Sequence, residues 1–85
     1  MKTGKIDLSE MAKEWGGPLV ARSRVADFSG GLLNPRTLAN HDSKGTGPRG
    51  KIRCGRLIAY RVEELVRWME ERAEEVPSRR LRRTK

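Results

Sequence analysis

Cysteine, histidine and aromatic side chains are scarce in this 85-residue chain, which holds one Cys, one His, two Trp, one Tyr and one Phe. A single cysteine cannot close an intramolecular disulfide. His41 and Cys54, with no further Cys or His to join them, fall short of a four-ligand metal set, so a packed histidine and a buried cysteine are expected and no metal or other cofactor. No apolar run approaches the roughly 20 residues that cross a bilayer. The first residues lack the apolar stretch of a secretory signal, so the expectation is a soluble, cytoplasmic protein with no membrane partner. There is no Ser/His/Asp set with a recognisable nucleophile turn, and nothing pairs Asp42 with Glu64 as catalytic carboxylates. An enzyme is therefore not expected. Aromatics are only 5% of the chain and most fall at core positions, which argues against RNA recognition by base stacking.

What the chain has in quantity is positive charge. Nineteen Lys and Arg against eleven Asp and Glu give a net charge of +8 and a pI near 10.6. Such a balance favours a polyanionic partner and says little about fold. Hydrophobic and charged residues each make up 35%, so one small core has to be used efficiently, and the length suits one domain.

The clearest local signals lie between Leu32 and Met69. Asn34 is a good N-cap, Pro35 falls at the first helical position, and Leu33 and Leu38 have the spacing of a hydrophobic staple. The helix expected over 34–44 is too short to be stable alone in water. It presents Arg36, Asn40 and Lys44, as a DNA-reading helix would. Upstream, Leu19–Ser29 carries a second short helical pattern with Val25, Ala26 and Phe28 apolar, and Gly30-Gly31 breaks it. Two short helices joined by a glycine turn make a helix-turn-helix, in which the first braces and the second enters the major groove. Residues 1–18 form an accessory segment in which Asp7 and Glu10 have capping-box spacing. There Leu8, Met11, Ala12 and Trp15 recur at helical intervals before Gly16-Gly17-Pro18; a flanking accessory helix and a dimerisation helix are both open readings.

Gly45, Gly47, Pro48 and Gly50 mark a loop. It lacks the Gly-Lys-Ser/Thr ending of a nucleotide-binding loop and follows a helix, not a strand, which excludes that reading. Lys51–Tyr60 has the pattern of a β-hairpin. A three-residue loop at Gly55–Leu57 would put Ile52, Cys54, Ile58 and Tyr60 on one buried face and Lys51, Arg53 and Ala59 on the other, and burial favours that register. A final amphipathic helix is expected from Val62 to about Glu74, with Val62, Leu65, Val66, Met69 and Ala73 inward and Trp68 at the edge. Glu63, Arg67, Glu70 and Glu74 would form its solvated back, and Pro77 would end it. The remaining 77–85 reads as a mobile basic tail whose arginines add non-specific phosphate attraction.

Asn34-Pro35-Arg36-Thr37-Leu38, the Gly55-Arg56 turn, and Tyr60 leading into Glu64, Leu65 and Trp68 stand in an order that resembles the winged-helix, MerR-like DNA-binding domains of phage excisionases and AlpA-type regulators. The resemblance covers about half the chain. It implies a small α+β fold, a winged helix-turn-helix over 19–76 with three or four short helices and a two-stranded hairpin wing. It also implies sequence-specific binding of double-stranded DNA without a cofactor, as a transcription regulator or the architectural partner of an integrase. Carried over by position, Arg36, Ala39, Asn40 and Ser43 would face the groove, and Thr37, Leu38 and His41 the core. Arg49, Lys51, Arg53 and Arg56 would serve the wing, toward phosphates or the minor groove. Family members often have a basic residue where this chain has Ala39 and a large aromatic where it has His41. The rival expectation is a protein-interaction module that docks on an integrase or another partner without DNA specificity of its own. Self-association on DNA is expected if binding is to be tight.

Overall fold

The computed structural model describes residues 6–74 and Val76. The expected helix stop at Pro77 and the basic tail lie outside the described residues. The fold is small α+β, with four α-helices and a three-stranded antiparallel sheet: α1 Glu10–Trp15, β1 Leu19–Ala21, a 3-10 turn Arg22–Arg24, α2 Val25–Phe28, α3 Pro35–Lys44, β2 Ile52–Cys54, β3 Leu57–Arg61 and α4 Val62–Arg72. The strand order is β1-β3-β2. No described helix is long and apolar enough to cross a membrane.

The first departure from expectation is β1. Leu19–Ala21 is a strand, and α-helix in this segment is confined to Val25–Phe28, after the 3-10 turn. Val20 lies opposite Tyr60 in the β1–β3 ladder, and both side chains are fully buried, while Leu19 and Ala21 face outward opposite Arg61 and Ala59. Extended backbone lets one residue in two reach the core, which suits a segment with a single apolar anchor. Ser29 is also buried. Its hydroxyl donates to the Val25 carbonyl (2.7 Å) and accepts from the Leu33 amide (2.9 Å), tying the end of α2 to the chain entering α3.

α3 begins as its sequence dictates. Asn34 Oδ1 accepts from the Thr37 amide at 2.9 Å, Pro35 fills the first position, and Leu33 and Leu38 are both buried. It ends at Gly45, whose φ of +79° lets its amide and that of Thr46 fold back onto the Asp42 and His41 carbonyls.

The hairpin has the other register. Ile52 pairs with Ala59, Arg53 with Ile58 and Cys54 with Leu57, so the loop is the two residues Gly55-Arg56, with Gly55 at φ +67°. Ile52, Cys54, Leu57 and Ala59 therefore share the outer face, and Arg53 shares the helix-facing side with Ile58 and Tyr60. Cys54 is exposed, not buried. The expected register assumed a two-stranded hairpin with one dry face. The third strand removes that premise, because β1 brings Val20 to the core side and Leu19 and Ala21 to the outer side, where Ile52 is half-buried.

α4 buries Val62, Leu65, Val66, Trp68 and Met69 and ends two residues before the expected limit, at an extended Ala73. Complete burial of a side chain such as Leu65 or Leu38 contributes about 1.5–3 kcal/mol. α1 covers this helix, with Leu8, Met11, Ala12 and Trp15 packed on the core. Asp7 does not cap it in the expected manner. Its Oδ1 accepts from the Ser9 amide (2.9 Å); hydrogen bonding with the Ser9 side chain first, and with this amide second, holds the Asp7 carboxyl below its ordinary value, and Ser9 occupies the cap. Glu70, expected on the solvated back of α4, instead accepts from the Leu8 amide at 2.7 Å and fastens α1 to α4.

The register makes a direct prediction. Cys54 in the native protein should react with a thiol reagent at a rate within a few-fold of that in denaturant. Strong native-state protection would restore the three-residue loop.

Candidate nucleic-acid interface

Helical geometry sorts the residues of α3. Leu38 is its one fully buried apolar residue, with Thr37, Ala39 and His41 half-buried beside it and the Asp42 side chain turned inward; Arg36, Asn40, Ser43 and Lys44 are exposed. At 3.6 residues per turn, 36, 40 and 43 fall on one face, and ten residues span about 15 Å. Ala39 flanks this face.

The first residue of α3 and the tip of the hairpin line one shallow groove. Pro35 stands on one side and Arg56, Leu57 and Ile58 on the other, with Arg22 and Ser23 of the 3-10 turn among its remaining lining. Arg53, opposite Ile58 and on the same side of the sheet, is exposed beside it. Arg36, Lys44, Arg49, Arg53 and Arg56 form no ion pair among the described residues. The positive charge along α3 and the hairpin tip is thus uncompensated, and an anion gains most from charges that need not first break an internal pair.

Three of the expected site residues are placed differently. Arg53, expected on the outer face of the hairpin, lies on the helix-facing side opposite Ile58 and is exposed there. Arg49 lies in another groove, with Thr46, Glu64, Arg67, Trp68 and Arg72. Lys51 turns back toward the fold, its Nζ 3.9 Å from Asp42 Oδ1.

The loop after α3 is held firmly. Trp68 Nε1 donates to the Thr46 carbonyl at 2.8 Å and Arg72 donates to the same oxygen at 3.1 Å, with the Arg72 guanidinium 4.2 Å over the Trp68 ring. His41 packs edge-on against Trp68 with ring centroids 5.1 Å apart, and its Nδ1 pairs with the Thr46 hydroxyl at 2.8 Å. Hydrogen bonding and edge packing thus hold His41 at the position where the domains that the sequence resembles often have a large aromatic. Among the described residues no group of three or more His, Cys, Asp or Glu is arranged to hold a metal ion.

Beneath the groove sits a feature that sequence reasoning missed. The Asp42 side chain is only 7% exposed, and its Oδ2 accepts from Arg22 Nη2 (2.5 Å) and from the Tyr60 hydroxyl (2.6 Å). Arg22 Nε also donates to the Tyr60 oxygen at 2.9 Å. The signal was present: Asp42 stands one turn beyond Leu38 on the inward side of α3, and a charge there has to find a partner. Gly47 completes the enclosure, since a Cβ at that position would collide with Asp42 Oδ1.

Two outcomes follow. Gly47→Ala should displace the carboxylate and lower stability by about 1–3 kcal/mol in chemical denaturation; an unchanged midpoint would show that the enclosure is loose. Burial first, and the hydrogen bond to Asp42 second, push the Tyr60 phenol up from 10.0 to about 12. The folded state therefore favours the protonated phenol. That contribution to stability is complete below pH 10 and is lost as pH rises toward 12. Because Tyr60 is the single tyrosine, ultraviolet absorbance should show phenolate forming near pH 12 in the folded protein and near 10 in denaturant. Coincident curves would place Tyr60 in solvent.

Comparison with protein-family models, curated proteins and solved structures returns no match to this chain.

Proposed function

We propose that this chain binds double-stranded DNA sequence-specifically as a winged helix-turn-helix of the MerR-like kind, acting as an excisionase-type architectural factor or a small transcription regulator. α3 would enter the major groove and the β2–β3 hairpin would lie on the backbone or in the minor groove. The observation that carries this reading is the groove lined by Pro35 at the start of α3 and Arg56 at the hairpin tip; Arg56, with Arg36 next to Pro35 and Arg53 opposite Ile58, is exposed and in no ion pair among the described residues. Arg36 and Asn40, four apart on one face, can reach base edges in one stretch of groove. Arginine pairs with guanine and asparagine with adenine in bidentate geometry. Arg53 and Arg56 bring charge to phosphates, which positions the protein without reading sequence.

A second reading, docking on an integrase or another protein, is favoured by one observation. Leu19 is 40% exposed on the outer sheet face beside the half-buried Ile52, an apolar surface that DNA binding leaves unused.

Selection of preferred duplexes by wild type and variants separates the two. Arg36→Ala and Asn40→Ala should each relax preference at defined base positions by about 1–3 kcal/mol. Arg53→Ala and Arg56→Ala should weaken binding with little change of preferred sequence. Wild-type selectivity in the Arg36 and Asn40 variants would remove α3 from the major groove and leave the docking reading.

Salt gives a further check. If about five phosphates are neutralised, log K should fall with log salt at a slope near −4 to −5, and removal of residues 78–85 should make it shallower. A salt-insensitive complex would overturn the electrostatic part of the reading. One module buries only about 600–1,000 Å², so tight binding should need two or more copies on adjacent sites.

A further inference from the structure

We propose that Arg22, Asp42 and Tyr60 are positioning residues of the DNA-binding face, forming a joint that sets the angle between α3 and the β2–β3 hairpin. The proposal rests on the DNA-binding reading above. Each residue comes from a different element: Arg22 from the 3-10 turn, Asp42 from α3 and Tyr60 from β3. Two donors converge on one oxygen, Asp42 Oδ2, at 2.5 Å from Arg22 and 2.6 Å from Tyr60, and the 2.9 Å bond from Arg22 to Tyr60 closes the ring of three.

α3 needs such a joint because its apolar anchorage is slight. Leu38 is its one fully buried residue, and a single apolar contact, having no direction, leaves a short helix free to tilt about that point. Asp42 lies one helical turn further on and adds a second fixed point made of directional, charge-assisted bonds. Tyr60 carries the constraint to the sheet, where it pairs with Val20 and continues the strand that holds Ile58 at the groove. On the other side, Gly47 and the Lys51 ammonium close over Asp42 Oδ1. Base-edge contacts tolerate little displacement. A tilt of α3 against the hairpin would move Asn40 and Arg36 relative to phosphates held by Arg53 and Arg56, and affinity would fall although none of those four side chains had changed.

Tyr60→Phe keeps the ring and removes one oxygen, and Arg22→Lys keeps the charge but loses the fork that bonds both partners. Met11→Ala, under α1, is the destabilised control away from the joint. Affinity for the selected duplex is measured where all variants are folded. In parallel, spin labels at Ser43→Cys and Leu57→Cys, in a Cys54→Ser background without DNA, report the distance between α3 and the hairpin tip. Both joint variants should broaden that distance distribution and bind at least 10-fold more weakly, with preference relaxed at the bases selected by Arg36 and Asn40. The Met11 variant should match wild type in all three. An unchanged distribution, or a broadened one with wild-type affinity, would overturn the joint alone. A wild-type chain that binds no duplex would overturn the DNA-binding reading, and the proposal with it.

Discussion

A buried carboxylate at the centre of a strongly basic chain organises this fold. Asp42 draws Arg22 and Tyr60 onto one oxygen, and those three residues belong to three different elements, none of them adjacent in the chain. Removing one partner from such a buried charged group typically costs about 3–5 kcal/mol, because the remaining charge is left without compensation. The enclosure propagates outward. Gly47 has no side chain because the Asp42 carboxylate occupies the space, and Thr46 beside it anchors Trp68 and Arg72 of α4. A helix with one buried apolar residue thereby acquires a fixed place on a sheet and on a second helix.

The same arrangement divides the charge. Arg22 and Lys51 face Asp42, Arg24 pairs with Asp27 and Arg67 with Glu64. Arg36, Lys44, Arg53 and Arg56 are left without acidic partners among the described residues, and they lie along α3 and at the hairpin tip. An internal ion pair that fixes geometry and outward cations that remain available are different uses of one residue type, and the fold keeps them apart.

Local stereochemistry was readable from the sequence and long-range pairing was not. Asn34, Pro35, Leu33 and Gly45 mark the limits of α3 through interactions a few residues long, so its start, its stop and its exposed face are where they are expected. The α4 stripe is equally periodic. β1 is three residues, too few to carry an alternation, and its strand character comes from pairing with β3 much further along the chain. The hairpin register is not set locally for the same reason, since the face that Ile52 and Cys54 occupy depends on that third strand. Asp42 finds partners 20 and 18 residues away, and no short window contains them. Of the candidate site, the helical residues and Arg56 could be placed from spacing. Arg49 and Lys51 could not, because loop residues follow whatever the enclosed carboxylate and Trp68 require, and Arg53 could not, because its face turns with the register.

The central claim is that α3 and the hairpin tip present one continuous surface to a duplex. Backbone amide shifts of the isotopically labelled protein, followed as a short duplex is added, test it most directly. The account predicts that perturbations concentrate at Arg36–Lys44 and Arg53–Leu57 and spare α1. Perturbations centred on Leu19 and Ile52 of the outer sheet face, or none at saturating duplex, would contradict it.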